Sequence, residues 1–196
     1  MLKAKHIDLT ELKLSDGFWK KRQETNRNIT ARAVYERFRD TGRFDAIACN
    51  WQEGMANKPH EYWDSDVAKW IEGVAYITAR EKASELEAIV DETVDNIEKN
   101  VLPCGYFNSY YINIDPDARF TNRNNHELYC LGHFIEAAIA YRKTTGKDKL
   151  FKLMLRYTDY VYDVFVEKKS AKFFTPGHEE IELALVRMYR YTGKKK

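Results

Sequence analysis

Three short stretches gather the side chains that could do chemistry, and each stands where a helix would begin. The first is Glu61-Tyr62-Trp63-Asp64-Ser65-Asp66-Val67-Ala68-Lys69-Trp70, with two carboxylates, Asp64 and Asp66, beside the indole of Trp63. The second runs from Asn122-Arg123-Asn124-Asn125-His126-Glu127 to Gly132-His133, and the third is Pro176-Gly177-His178-Glu179-Glu180-Ile181-Glu182. Helix starts leave backbone N–H groups unpaired and carry the positive end of the macrodipole, so polar groups gathered there suit a ligand rich in oxygen. The plainer alternative for Asp64 or Ser65 is an N-cap worth about 1 kcal/mol to its own helix.

The histidines narrow the chemistry. His126 and His133 share a helix face but stand about 10 Å apart along its axis, too far to hold one metal as a pair, and the HExxH spacing is absent. A metalloprotease reading therefore fails. His133, between Leu131 and Phe134, reads as a hydrogen-bonded core histidine. His126 and His178 each open a helix with a His-Glu pair. If those helices lie side by side and start at one end, the two rings converge on one ligand as neutral donors and acceptors. Otherwise they are two independent surface histidines.

The elements that must position these groups are helical. Val67, Trp70, Ile71, Val74, Ala75 and Ile77 recur at steps of three and four from Asp64 onward, and Leu86, Ile89, Val90, Val94 and Ile97 continue the pattern between about Ser84 and Asn100. These two stretches predict an αα-hairpin. Further helices are expected at about 18 to 39, 125 to 144, 147 to 166 and 178 to 192, with Ser15 or Asp16 near the first cap. Two long loops, 42 to 62 and the aromatic segment 103 to 122, separate them. A short strand is allowed at His6 to Leu14, where alternation is imperfect.

A repeat relates alternate helices: Ile71-Glu72-Gly73, Ile135-Glu136-Ala137 and Ile181-Glu182-Leu183 share an Ile-Glu start followed by small residues. Thr144-Thr145-Gly146-Lys147 and Tyr191-Thr192-Gly193-Lys194 end two of them alike, with glycine at the left-handed C-terminal position. Small residues on repeated helices permit close approach around an axis. The expected class is all-α, a partial (α/α) toroid of αα-hairpins amounting to about half of a six-hairpin barrel. An open helical bundle or solenoid is the alternative.

Composition excludes several partners. The chain carries 32 basic and 30 acidic side chains, a formal charge of +2, which invites neither nucleic acid nor an anionic membrane. Met1 to Leu14 holds no continuous apolar run, so a soluble cytoplasmic protein is expected. Cys49, Cys104 and Cys130 lie far apart and form no CxxC, so they predict neither a disulfide framework nor a zinc site. Aromatic residues reach 14%, with 13 tyrosines, a supply of flat faces with polar tips that suits packing or carbohydrate stacking.

Taken in order, WDSDVAKWIEGVAY, NNHELYCLGHFIEAAIAY and PGHEEIELALVRMYRYTGK, with LSDGFWKKRQETNRN and LPCGYFNSYY, resemble the N-terminal part of glycoside hydrolase family 127, the β-L-arabinofuranosidase family. The resemblance covers nearly the whole chain. It implies a six-hairpin (α/α) barrel followed by β-sandwich elements, retaining hydrolysis of β-L-arabinofuranosides, and a cysteine nucleophile held at zinc. It also implies that His126 and His178 contact the sugar and that Trp63, Asp64 and Asp66 belong to a pocket-lining loop. The family's nucleophile, acid/base glutamate and zinc ligands match no residue of this chain, so no catalytic residue, metal ligand or cofactor is assigned within it. The expectation is therefore a glycosidase domain truncated after Lys196 and inactive alone, binding an arabinofuranoside or related carbohydrate and relying on its missing C-terminal half or on homo-oligomerisation. The rival from another class is a non-catalytic helical scaffold or protein-interaction module.

Overall fold

The computed structural model describes residues 11–194. Among them the fold is all-α, without a strand. Most of the strand expected at His6 to Leu14 lies outside the described residues, and 11 to 14 form none.

The chain enters through α1 (Phe18–Thr25) and α2 (Ala31–Asp40), joined without a break by a π-helical stretch at Asn26–Thr30, so the long first helix predicted from the sequence is present with one widened turn. Asp16 Oδ1 accepts from the Gly17 amide at its start. Helix α3 (Arg43–Ala46) occupies the start of the first expected loop. The Trp70 indole N–H donates to the Ala31 carbonyl at 2.8 Å, and Trp70 packs with Tyr35 and Phe44. These contacts dock α2 and α3 on the next helix.

Helices α4 (Trp63–Thr78) and α5 (Ser84–Asn100) form the predicted hairpin, and α7 (Glu127–Thr145) and α8 (Lys149–Tyr162) form the second. Helix α6 (Ser109–Asn113) and a 3₁₀ turn at Pro116–Ala118 break up the aromatic segment, and α9 (Glu180–Thr192) completes the set. The C-terminal glycines behave as expected: Gly146 and Gly193 cap α7 and α9 at φ 78° and 71°.

The repeated helices are the inner layer. Helix α7 lies between α4 and α9 and packs more extensively against each of them than against its hairpin partner α8. Leu128, Leu131, Phe134, Ile135, Ala138 and Ile139 are buried on α7, which is apolar nearly all round, as a helix covered on several sides must be. The repeat's isoleucines, Ile71, Ile135 and Ile181, are all buried. Glu72 and Glu136 instead meet Arg187 of α9 across the inner face, Glu72 at 3.0 Å. The third glutamate of the repeat, Glu182, is exposed.

The role of small residues is visible at Gly132 on α7. A Cβ there would stand 2.7 Å from Glu180 Cγ and 3.1 Å from the Glu180 backbone, so glycine sets how closely α7 and α9 approach. Gly73, the counterpart on α4, faces open space. Gly132→Ala is expected to destabilise the fold by roughly 1–3 kcal/mol through overpacking, whereas Gly73→Ala is expected to stabilise it by up to about 1 kcal/mol through helix propensity. Urea unfolding of both variants checks the contrast, and equal effects would show that the approach at Gly132 is not limiting.

Candidate functional site

Because α4, α7 and α9 are parallel, their starts share one rim, and the three polar stretches meet there. His126 is the residue before α7, held in the left-handed region at φ 55°, and His178 stands two residues before α9. Their ring centroids are 5.0 Å apart, so the two histidines are brought together. The loops that carry them are latched: Arg123 Nη2 donates to the Pro176 carbonyl at 2.8 Å, and a Cβ on Gly177 would meet the Arg123 carbonyl oxygen at 2.6 Å.

Aromatic rings extend the pair into a row. Tyr62 lies 5.7 Å from His126 and 4.2 Å from His60, while Tyr129 lies 4.9 Å from His178 and 4.6 Å from His133, centroid to centroid. Lys69 Nζ sits over the Tyr129 ring at 4.8 Å and donates to its hydroxyl at 2.8 Å and to Ser65 Oγ at 3.2 Å. A small cleft of about 250 Å³ opens beside this row between Lys58, His60, Glu61 and Tyr110. A larger groove, about 690 Å³, lies away from it between α1 and the C-terminal half of α4, against Tyr76, Ile77 and Arg80. The chemistry-bearing groups mark the first location as the site.

The Trp63-Asp64-Ser65-Asp66 stretch is the first turn of α4 rather than a loop. Neither Asp64 nor Ser65 caps it; the N-cap is Tyr62, without a side-chain bond. Asp66 pairs with Arg43 Nε at 2.7 Å, and that guanidinium stacks 5.0 Å over half-buried Trp63. Asp64 is buried, 2% exposed, and accepts from the Ser109 amide at 2.7 Å and from the Ser109 hydroxyl. Glu127, equally buried at the start of α7, accepts from the Tyr106 hydroxyl at 2.6 Å and the Phe120 amide at 2.7 Å. Both carboxylates thus clamp the aromatic segment 103 to 122 against the inner helices.

His133 is a core histidine, as its neighbours predict, but a poorly satisfied one. Its Nδ1 lies 3.2 Å from Glu180 Oε1 without hydrogen-bonding alignment, and its Nε2 is buried without a partner. Burial lowers it to about 4, and burial also raises Glu180, to about 7.

Residues that sequence reasoning did not single out complete the rim. Glu61 Oε1 lies 3.1 Å from His126 Nδ1, and its Oε2 accepts from the Tyr111 hydroxyl at 3.2 Å. Tyr129, three residues beyond His126 on α7, and Lys69 on α4 could have been found from helical spacing. Glu61 had no such signal, since its partners lie 50 and 65 positions away.

An inner row of helices that start at one rim, each packed on the next, is part of an (α/α) toroid. The family model for the β-L-arabinofuranosidase GH127 catalytic domain matches residues 11–196, and the chain belongs to that family. It is 35% identical over 140 residues to a non-reducing end β-L-arabinofuranosidase of Bifidobacterium longum subsp. longum, an alignment covering 69% of this chain and 21% of the relative. It superposes with a TM-score of 0.86 and 36% identity on a GH127 β-L-arabinofuranosidase from Geobacillus stearothermophilus T6, over 93% of this chain and 30% of that one. A second GH127 β-arabinofuranosidase matches with a TM-score of 0.84 and 28% identity, over 95% of this chain and 31% of the other. The chain therefore spans between about a fifth and a third of the length of these relatives. No described helix is long and apolar enough to cross a membrane.

The zinc that the family resemblance implies can be tested against the donors present. Among the described residues no three His, Cys, Asp or Glu side chains converge to hold a metal ion. Cys49 is pushed up to about 12 by burial and by the nearby Asp64 carboxylate, Cys130 is driven well above its ordinary range by burial, and Cys104 is exposed. The residues described do not fit a zinc ion.

Burial raises Asp64 from 3.8 to about 6 and Glu127 from 4.5 to about 7, although the hydrogen bonds from Ser109, Tyr106 and Phe120 pull the other way. Each carboxyl binds its proton more tightly in the fold than in the unfolded chain. Its stabilisation is therefore full below about pH 4 and lost as pH rises through 6 to 7. His133 acts oppositely, contributing above about pH 6.5 and losing that contribution towards pH 4. The variant Asp64→Asn with Glu127→Gln is expected to gain stability relative to wild type as pH rises from 4 to 7. Parallel stability curves across that range, from urea unfolding, would overturn the assignment.

Proposed function

We propose that this chain builds one wall of a pocket for β-L-arabinofuranosides or related glycosides. His126 and His178 contact the sugar, and Trp63, Asp64 and Asp66 form the wall beside and behind them. The observation that carries this reading is the convergence of the two imidazoles at 5.0 Å from the starts of neighbouring inner helices. Neutral imidazoles offer one donor and one acceptor each, which suits the hydroxyls of a furanose. The tyrosine faces in the same row supply apolar contact for the ring carbons. Asp64 acts in this wall by holding the aromatic segment, and Asp66 by holding Arg43 against Trp63.

Retaining hydrolysis requires a nucleophile and a proton donor facing each other across the glycosidic bond. The buried thiols stay protonated, and Asp64 and Glu127 are occupied by hydrogen bonds inside the core. The proposal is accordingly that turnover needs groups beyond these 196 residues, with a longer polypeptide or a second copy completing the pocket. The exposed apolar face of α9, at Leu183, Val186 and Tyr189, is the surface on which such completion would rest.

Titration with methyl β-L-arabinofuranoside, followed by NMR, is expected to show weak saturable binding. The double variant His126→Gly with His178→Ala should abolish it while thermal unfolding stays within a few degrees of wild type; glycine suits the left-handed backbone at position 126. An aryl β-L-arabinofuranoside should not be cleaved by the chain alone, with or without added zinc. Binding that survives in the double variant would overturn the pocket, and turnover would overturn the need for further groups. No binding at all would favour the scaffold reading.

A further inference from the structure

Glu61 is placed to control His126. It stands just before Tyr62, the N-cap of α4, and reaches across the rim to the start of the neighbouring inner helix. One carboxylate oxygen lies 3.1 Å from His126 Nδ1. The other accepts from the hydroxyl of Tyr111, whose ring is 1% exposed and whose amide donates to the side chain of fully buried Asn108. The far end of Glu61 is thus fixed to the core while its near end faces the imidazole. His126 itself stands in the left-handed region at φ 55°, uncommon for a residue with a Cβ. The backbone thus sets the direction in which the side chain leaves the chain, and the Glu61 carboxylate restricts how the ring is turned. Among the described residues no group hydrogen-bonds Nε2 of that ring.

We infer that Glu61 is a positioning residue: it accepts the Nδ1 proton of His126, fixes that tautomer, and so presents Nε2 as a hydrogen-bond acceptor at the rim. A carboxylate accepts only, so the neutral imidazole paired with it carries its single proton on Nδ1. The nitrogen left facing outward then selects a donor, which on a sugar is a hydroxyl group. This rests on the reading of His126 as a sugar contact, and it adds the direction of the hydrogen bond and the residue that sets it.

Long-range proton–nitrogen NMR of the 15N-labelled chain at pH 8 reads the His126 ring nitrogens directly, above the range near 6.5 where an ordinary histidine titrates. The expected result is a protonated Nδ1 and an unprotonated Nε2 in wild type and in Glu61→Gln, whose amide oxygen still accepts. In Glu61→Ala the populations should move towards the Nε2-protonated form, with the melting midpoint little changed. A wild-type ring protonated on Nε2 or on both nitrogens, or a tautomer indifferent to Glu61→Ala, would overturn the inference. The same samples titrated with methyl β-L-arabinofuranoside separate the two readings. Roughly five-fold weaker binding in Glu61→Ala, the effect of about one neutral hydrogen bond, with Glu61→Gln near wild type, supports both. A tautomer change without loss of affinity removes His126 from the sugar contact and leaves the Glu61–His126 coupling standing.

Discussion

The hydrogen bonds that Ser109 gives to the buried carboxylate of Asp64 hold the rim together. Asp64 lies in the first turn of α4 and Ser109 begins α6, so this contact fixes the aromatic segment against the innermost layer of helices. Tyr111, two residues further along α6, then stands where its hydroxyl reaches Glu61, and Glu61 stands where it reaches His126. Burying a carboxylate is costly unless its lone pairs are met by donors, and here both oxygens are met. Glu127 repeats the device one helix later, on Tyr106 and Phe120. A polar group that looks like a ligand contact in the sequence thus acts one layer behind the surface.

The sequence made the large elements legible because their cause is local. Helix α5 runs from Ser84 to Asn100, where its apolar stripe starts and stops, and the glycines after α7 and α9 end those helices through backbone geometry alone. The Ile-Glu repeat identified the inner layer because each inner helix must bury the same face. Helices α3 and α6 escaped notice because they span only four and five residues, too short for a period to show. Helix α6 depends on Asn108 capping the Tyr111 amide from a fully buried position. The burial of Asp64 and the reach of Glu61 depend on partners brought near only by the packed fold.

The inner face shows how one repeated dipeptide serves two ends. Isoleucine at each repeat enters the core, while Glu72 and Glu136, one position on, share Arg187 of α9, which also donates to the Tyr76 hydroxyl at 2.8 Å. Burial raises Glu136, and the guanidinium of Arg187 opposes that rise. Arg187 therefore fastens three inner helices through one side chain, at a level deeper along the axis than the histidine rim. An ion cluster of this kind costs desolvation and returns orientation, since a planar guanidinium accepts few arrangements of its partners.

The latch between Arg123 and the Pro176-Gly177 turn has a consequence for how such a protein can diverge. The two histidine-bearing turns hold each other directly, by the Arg123 guanidinium on the Pro176 carbonyl and by the close fit of Gly177 on the Arg123 backbone. Their spacing is thus set at the rim itself as well as by the packing of α7 on α9 below it. The exposed residues 166 to 170 between the turns are then open to drift in sequence over generations, whereas α7 and α8 are held by what they bury and selection on the rim falls on a handful of residues in two short turns.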